Sequence, residues 1–191
     1  KRNLTLAAEG TYKRNTLSIR HAFQEIKDAK PQVIIMIGAY KANALFIKKA
    51  KEDYNFKDTI FCNISFGDAN AMLKELDNTE NLLFSQVVPS YMDTNIPVIK
   101  EYHKLMTRYY PGVSYGFISL EAFLAAKTVV YALQQINGDI TQNKFLSKLE
   151  HLPSNILSGL NIKYKNSQLL NQVYLFEYKN GKFVEIKEKT K

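Results

Sequence analysis

Residues 31–40 read PQVIIMIGAY, and they contain the first buried strand that the sequence predicts. Pro31 ends the preceding helix, and residues 32–38 are apolar almost throughout, without a regular polar alternation. Such a run is typical of a parallel strand whose two faces are both covered. We therefore expect a central parallel strand here, which leaves the sheet at Gly38.

The segments around this strand alternate between helix and strand. Upstream, Asn15 or Thr16 is placed to cap a helix with a continuous apolar face: Leu17, Ile19, Ala22, Phe23 and Ile26. Downstream, helical patterns at 41–54 and 69–76 separate apolar runs at 59–64 and 82–88. Helices between buried strands are typical of right-handed βαβ units. The first half of the chain therefore predicts an α/β fold with a parallel sheet flanked by helices.

The pattern changes at Pro89. Three helical segments follow without a buried strand between them: 96–109, 116–137 and 141–151, the last capped by Thr141. The chain then shows alternating, strand-like runs at 160–164, 172–178 and 182–186. Asn180-Gly181 lies between the last two, and this pair is a strong signal for a hairpin turn.

The helix at 116–137 is apolar over much of its circumference and must bury a broad surface. Few strands in this chain are left for it to pack on. Leu4–Ala8 is also strand-like, with no helix before it. We therefore expect an N-terminal portion of the fold to lie outside these 191 residues. Lys1-Arg2-Asn3 leads directly into that strand-like stretch, so any secretory leader would lie outside as well.

Composition and charge exclude several classes of protein. The chain is 46% hydrophobic and 23% charged, as in ordinary globular domains, and no apolar run approaches the ~20 residues that cross a bilayer. The net charge of +8 is spread over helix faces, the hairpin and the tail, without a basic block or an RNA-binding aromatic motif, so we expect no nucleic-acid partner. Cys62 is the single cysteine, which rules out an intrachain disulfide, and its apolar surroundings indicate a core residue.

The sequence contains no catalytic or metal-binding motif such as GxSxG, HExxH, CxxC or a P-loop. No two of the three histidines have the spacing of metal ligands, and Glu150 beside His151 is better explained as a surface pair. We therefore expect no enzyme activity, no metal and no cofactor.

The loops that leave the predicted parallel strands carry small, hydroxylated and aromatic residues. Open α/β sheets bind ligands at this edge, and a small polar ligand needs a few hydrogen bonds and an apolar wall. The candidate ligand-binding residues are Ala39, Tyr40, Ser65, Phe66, Asp68 and Tyr91. A purely structural explanation stays open for each: Ser65 or Asp68 could cap the next helix, and the tyrosines could be ordinary half-buried or loop residues.

The order of these segments resembles the C-terminal part of the type I periplasmic solute-binding proteins of ABC transporters, the leucine/isoleucine/valine-binding protein family. The resemblance runs nearly end to end. It rests on the helix and strand ending in Gly38-Ala39-Tyr40, the loop from Phe61 to Gly67, Val87-Val88-Pro89 with the helix at 97–102, the long helix with Leu120-Glu121-Ala122, and the terminal hairpin at 174–186.

The resemblance implies a two-lobed receptor without catalytic activity that closes on a small molecule, such as an amino acid, a small carboxylate or an amide. Residues 1–88 and 172–191 would form part of the second lobe. Residues 89–171 would belong to the first lobe, whose main sheet is absent. The resemblance also implies export to the periplasm or the cell surface, a membrane permease as partner and transport of branched-chain amino acids or related solutes. A homodimer is compatible with it.

One departure from the family pattern concerns the ligand. Members that bind amino acids often place an acidic residue in the second strand-end loop, where this sequence has Ile64 followed by Ser65. An unpaired ammonium in a closed cleft is costly, so a carboxylate from Asp68 or from the other lobe would have to replace it. Two other functions stay open: the ligand-sensing extracellular domain of a signalling receptor, and an α/β enzyme with Asp68 as its general base.

Overall fold

Helices and strands alternate along the first half of the chain, and helices follow one another in the second half. The computed structural model describes residues 5–165 and 168–187. In chain order the elements are α1 (Arg20–Asp28), β1 (Val33–Met36), α2 (Tyr40–Lys51), β2 (Ile60–Asn63), α3 (Ala69–Lys74), β3 (Leu82–Gln86), α4 (Pro97–Tyr109), α5 (Phe117–Gln134), α6 (Gln142–Glu150), β4 (Tyr174–Lys179) and β5 (Lys182–Glu185). A short 3-10 helix, Tyr54–Phe56, follows α2.

The five strands form one sheet in the order β1-β2-β3-β4-β5. Strands β1, β2 and β3 are parallel, and their register places Met36 beside Asn63 and Asn63 beside Phe84. Strands β4 and β5 are antiparallel, joined at Asn180 and Gly181, which both have positive φ as a tight hairpin turn requires. The predicted parallel α/β sheet and the terminal hairpin are both confirmed.

The chain divides into two compact units. Unit 1 comprises Lys1–Gln86 and Leu175–Lys191, and unit 2 comprises Val87–Tyr174. Unit 1 therefore holds the sheet with α1 to α3, and unit 2 holds α4 to α6.

One face of the unit 1 sheet is buried. Side chains alternate along each parallel strand, and the buried set is Ile34, Met36, Phe61, Asn63, Leu82, Phe84 and Gln86. Helix α2 lies on this face, because Asn43 is hydrogen-bonded to Asn63 and the Lys51 ammonium lies 5.4 Å from the Phe61 ring centroid. Phe23, Phe46 and Phe56 pack together with ring centroids 5.2 to 6.2 Å apart and close this part of the core.

The other face of β1 is open, which corrects the expectation that both faces are covered. Val33, Ile35 and Ile37 are 49%, 65% and 75% exposed. The apolar run in the sequence therefore predicted the strand correctly. Within the described residues, however, no element packs on this second face.

Unit 2 is organised around Tyr102 of α4, whose side chain is buried. The Tyr102 hydroxyl is hydrogen-bonded to the Ser119 hydroxyl at 2.7 Å and accepts from the backbone N–H of Gly116 at 3.3 Å. Lys127 of α5 lies 2.6 Å from the Glu101 carboxylate of α4. These contacts fix α5 against α4.

Helix α5 buries one stripe and exposes another. The buried stripe is Phe117, Leu120, Leu124, Thr128 and Ala132. On the opposite side Ile118, Val129 and Val130 are 42%, 41% and 51% exposed. Among the described helices, α5 alone is long and apolar enough to cross a membrane by length and composition. Its buried stripe and its ion pair to α4 are features of a helix in a globular domain.

Three details of the sequence prediction were wrong. Helix α1 begins at Arg20 without a side-chain cap, because the Thr16 hydroxyl donates to the Lys13 carbonyl in a preceding turn instead. Asn15 does not cap it either. Residues 160–164 form no strand of the sheet. Instead, the backbone of Lys163 is hydrogen-bonded to Leu169 and that of Lys165 to Gln168, a few residues further along the chain.

The strand predicted at Leu4–Ala8 is not formed either. Residues 5–8 lie outside every strand, and Leu4 lies outside the described residues.

An ion pair connects α1 to the segment after α2 and makes stability depend on pH. Lys27 Nζ lies 2.6 Å from the Asp53 carboxylate. The hydrogen bond from Lys27, with those from the backbone and side chain of Asn55, lowers the pKa of Asp53 from 3.8 to about 2. The folded-state pKa is depressed, so the stabilisation is present above the unfolded-state pKa and is lost as the pH falls to about 2.

We therefore expect Lys27→Met to lower the melting temperature at neutral pH and to have a smaller effect near pH 2, about the folded-state pKa of Asp53. Lys48→Met is the matched control, since Lys48 is exposed on α2 and forms no ion pair with another described residue. Thermal unfolding followed by circular dichroism across this pH range tests the expectation. A difference between Lys27→Met and the wild type that does not change with pH would contradict it.

Candidate functional site

The loops that follow β1 and β2 lie side by side at one edge of the sheet. Because these strands are parallel and in register, their carboxyl ends lie at the same edge. Residues 38–40 continue directly into α2, and residues 64–68 continue into α3. All five predicted site residues outside unit 2 lie here. Ala39 precedes α2 and Tyr40 begins it, whereas Ser65, Phe66 and Asp68 precede α3.

Two glycines allow the loops to touch. A Cβ atom on Gly67 would lie 2.9 Å from the Gly38 carbonyl oxygen, a distance that real side chains essentially never show. A Cβ atom on Gly38 would overlap the side-chain oxygen of Asn43 and lie 2.7 Å from the Tyr12 hydroxyl. Both glycines are buried. Gly67 is required because its backbone lies against the other loop, and Gly38 because the Asn43 and Tyr12 side chains occupy the space of a Cβ atom.

A buried amide fills the space behind this contact. Asn43 of α2 is only 4% exposed, and its Nδ2 donates to the Gly38 carbonyl at 3.1 Å and to Asn63 Oδ1 at 3.2 Å. Asn63, the last residue of β2, is 1% exposed. A single side chain therefore joins the loop after β1 to the end of β2.

Tyr12 supports the same loop from the segment before α1. Its hydroxyl accepts a hydrogen bond from the backbone N–H of Ala39 at 3.3 Å. Ala39 is the residue before α2 and has extended backbone angles. The turn from β1 into α2 is thus held by hydrogen bonds to both Asn43 and Tyr12.

The side chains at this edge leave polar groups available. Tyr40 and Ser65 are partly exposed, and their hydroxyls form no hydrogen bond with any other residue that the structure describes. The Phe66 ring is 70% exposed. Two available hydroxyls beside an exposed aromatic ring can orient a small molecule through hydrogen bonds and cover its apolar part.

Asp68 has a structural role. Its carboxylate accepts from the backbone N–H of Ala71 at 3.1 Å and caps α3. The structural alternative stated for Asp68 therefore describes its observed contact, while Ser65 forms no cap. Its role as a ligand contact stays a prediction.

Tyr91 belongs to unit 2, where its side chain is 9% exposed. Its ring packs edge-on against Phe117 at 4.8 Å, and its carbonyl oxygen accepts from His103 Nε2 at 2.7 Å. The His103 ring stacks on Tyr115, with centroids 3.9 Å apart. Tyr91 is thus a packed residue of an aromatic cluster, and its contact with a ligand also stays a prediction.

Sequence reasoning missed the residues that support the loops, namely Tyr12, Asn43 and Asn63. It also missed Gln86, the last residue of β3, which is 2% exposed and whose Nε2 has no hydrogen-bond partner in the described part of the chain. A usable signal existed for three of them. Asn43, Asn63 and Gln86 are amides in apolar runs, and a buried amide normally needs a partner.

Metal binding and nucleophilic chemistry depend on where the metal-ligating and nucleophilic side chains lie. Across residues 5–165 and 168–187, no three His, Cys, Asp or Glu side chains converge in a group that could hold a metal ion. Cys62 is half-buried in β2, and burial raises the pKa of its thiol. A raised pKa reduces the thiolate fraction and therefore its reactivity as a nucleophile.

Comparison with known proteins agrees with the α/β fold described above. A family model described as "Periplasmic binding protein" matches residues 1–182. No curated protein sequence matches the chain.

Solved structures are similar over nearly the whole chain. A possible leucine/isoleucine/valine-binding protein from Rhodopirellula baltica SH 1 is 26% identical with a TM-score of 0.84, covering 93% of this chain and 49% of that one. A substrate-binding periplasmic protein from Ralstonia solanacearum is 20% identical with a TM-score of 0.79, covering 92% and 51%. A solute-binding protein of an ABC transporter from R. palustris, in complex with benzoate, is 16% identical with a TM-score of 0.71, covering 92% and 48%.

The chain therefore spans about half the length of the solved structures that it matches. Its mixed α/β architecture has a mostly parallel sheet flanked by helices. This architecture matches part of the type I periplasmic-binding-protein fold.

Gly67→Ala tests the contact between the loops. The added methyl group meets backbone, which cannot move aside as a flexible side chain can, so we expect a loss of about 1–3 kcal/mol in the free energy of unfolding. Gly112→Ala is the control, because a Cβ atom there meets no atom within 4 Å and adds only the strain of its positive φ. Urea denaturation measures both variants. The contact would not be as tight as described if Gly67→Ala were as stable as the wild type.

Substitution of Asp68 tests whether its carboxylate stabilises α3 as an N-terminal cap. We expect Asp68→Ala to lose about 1 kcal/mol of stability through the missing cap, whereas Asp68→Asn keeps a side-chain oxygen and loses less. Urea denaturation compares the two. If Asp68→Ala unfolds at the same urea concentration as the wild type, the cap does not stabilise α3.

Proposed function

This chain belongs to the periplasmic binding protein family, and on that premise we propose that it captures a small polar ligand between two lobes for import by an ABC-type transporter. Proteins of this family bind their ligands without catalysing a reaction and are exported to the periplasm. We place this protein there or at the outer cell surface, with a membrane permease as its partner.

The observation that carries the proposal is the edge formed by the loops after β1 and β2. The loops are in contact, and they carry the hydroxyls of Tyr40 and Ser65, which form no hydrogen bond within the described residues. Phe66 adds an exposed ring. We propose that Tyr40 and Ser65 hydrogen-bond the ligand and that Phe66 and Ala39 cover its apolar part.

The two lobes of the proposal follow the two units. We assign residues 1–88 and 172–191 to the second lobe and residues 89–171 to the first lobe, whose main sheet would lie outside this chain. The exposed apolar stripe of α5, with Ile118, Val129 and Val130, supports this assignment. An apolar helix face of this kind is normally covered by another element.

The ligand class follows from the chemistry of the edge. Hydroxyls can donate hydrogen bonds to the carboxylate or amide oxygens of a ligand. The Asp68 carboxylate, a candidate partner for a ligand ammonium, already accepts a hydrogen bond from the α3 backbone. We therefore propose an amino acid, a small carboxylate or an amide with an apolar body. The matched structures named for leucine/isoleucine/valine binding and for a benzoate complex define the first compounds to test.

Ligand-dependent thermal stabilisation of the full protein tests the proposal. L-leucine, L-isoleucine, L-valine and benzoate form the first panel, extended to other amino acids, small carboxylates and amides. A compound at about 100 times its Kd adds about 2.7 kcal/mol to the free energy of unfolding, which shifts the melting temperature by several degrees. The proposal would be abandoned if no compound of the extended panel raised the melting temperature.

Tyr40→Phe and Ser65→Ala test the named contacts. Each removes one hydroxyl, and the loss of one hydrogen bond of about 0.5–1.5 kcal/mol weakens binding roughly twofold to tenfold. Tyr54→Phe is the matched control, since Tyr54 is 84% exposed in the 3-10 helix after α2. Isothermal titration of the compound selected above measures the affinities. Equal affinity in the wild type and in both site variants would show that the ligand does not bind through these hydroxyls.

A further inference from the structure

We propose that Asn43 is a positioning residue that makes the loop after β1 and the end of β2 move as one body, and thereby sets the spacing of the ligand-contacting hydroxyls. This inference rests on the proposed function for its effect on binding. Its effect on the loops themselves does not depend on any ligand.

The position of Asn43 is unusual for an amide. Residues 42–44 are all buried in α2, and the flanking residues are alanines. An apolar residue would pack at this point without the cost of burying a polar group. The amide is accommodated because both of its observed hydrogen bonds connect separate segments, to Gly38 and to Asn63.

The two bonds act on two different strand ends. Nδ2 holds the Gly38 carbonyl oxygen, which is the same atom that a Cβ of Gly67 would approach to 2.9 Å. Asn43 Nδ2 itself lies 3.5 Å from the position of a Cβ atom on Gly67. One NH2 group therefore fixes the carbonyl on which the Gly67 segment rests, and it ties that carbonyl to β2 through Asn63.

The consequence concerns Tyr40 and Ser65. Tyr40 is two residues after Gly38, and Ser65 is two residues before Gly67 and two after Asn63. Their backbone positions follow from these three residues. Without the amide the Gly38 carbonyl loses its donor, and the two loops can shift independently while the helices and strands stay formed.

Asn43→Ala tests this proposal in the full chain, because alanine matches residues 42 and 44 and suits a helix interior. The control is Ile47→Val, a core residue on the same helix that is 0% exposed and has no part in the hydrogen bonds. Both variants are compared with the wild type by hydrogen exchange at peptides covering residues 37–41 and 64–68, corrected for their measured global stabilities. We expect exchange in both loops to rise roughly tenfold in Asn43→Ala and to stay unchanged in Ile47→Val.

A double-mutant cycle with Asn63→Ala provides the second test. The exchange effects of Asn43→Ala and Asn63→Ala should be non-additive in the loop after β1, because both substitutions break the Asn43–Asn63 bond. Asn43→Ala alone also breaks the bond to Gly38. For the compound selected from L-leucine, L-isoleucine, L-valine and benzoate, Asn43→Ala should weaken binding about tenfold, and Ile47→Val should leave it unchanged.

The outcomes distinguish this inference from the proposed function. Unchanged exchange in both loops of Asn43→Ala, or an equal rise in Ile47→Val, would overturn the positioning role. If the wild type binds no compound, the proposed function fails, and hydrogen exchange alone still decides whether Asn43 couples the loops. If exchange rises in both loops of Asn43→Ala but the affinity is unchanged, Asn43 couples the loops without affecting binding. That result would contradict the proposed effect of Asn43 on ligand binding.

Discussion

The close contact between the Gly38 and Gly67 segments is the constraint on which the rest of this edge depends. Parallel pairing places Met36 beside Asn63, so the chain leaves both strands at one edge. A methyl group at Gly67 would overlap the Gly38 carbonyl oxygen, so the loops approach each other more closely than a larger residue at position 67 permits. The amide of Asn43 is hydrogen-bonded within this contact. The backbone contact and the buried amide thus lie beside the loops that carry the partly exposed Tyr40 and Ser65.

Two apolar surfaces remain open in the described residues, one on each unit. In unit 1 the exposed apolar side chains lie on one face of β1, and in unit 2 the exposed stripe runs along α5. Burial of apolar surface is the main favourable term in folding, so extended apolar faces on a stable domain are normally covered. This physical requirement agrees with the assignment of the two units to different lobes of a larger fold. It is also independent of the identity of the ligand.

Sequence patterns predicted the elements well where local periodicity determined them. Each strand of the parallel sheet and each of the six helices lies within its predicted range or close to it, and Thr141 caps α6 as expected. The failures have physical causes. Thr16 is a good capping residue, but its hydroxyl donates within the preceding turn, and residues 160–164 satisfy their alternating pattern by packing in unit 2. Local preference was correct in both cases, and a competing contact decided the outcome.

The sequence by itself determined the parallel α/β sheet, the terminal hairpin and the presence of small, hydroxylated and aromatic residues after the strands, because side-chain periodicity and turn chemistry are local properties. Only the tertiary structure decided which of these residues keep free polar groups. Asp68 caps a helix and Tyr91 packs against Phe117, whereas Tyr40 and Ser65 keep hydroxyls without a partner in the described chain. The tertiary structure also revealed that Tyr12, Asn43 and Asn63 support the loops after β1 and β2. The contacts of Tyr12 with Ala39 and of Asn43 with Asn63 join residues 27 and 20 positions apart, so no local pattern encodes them.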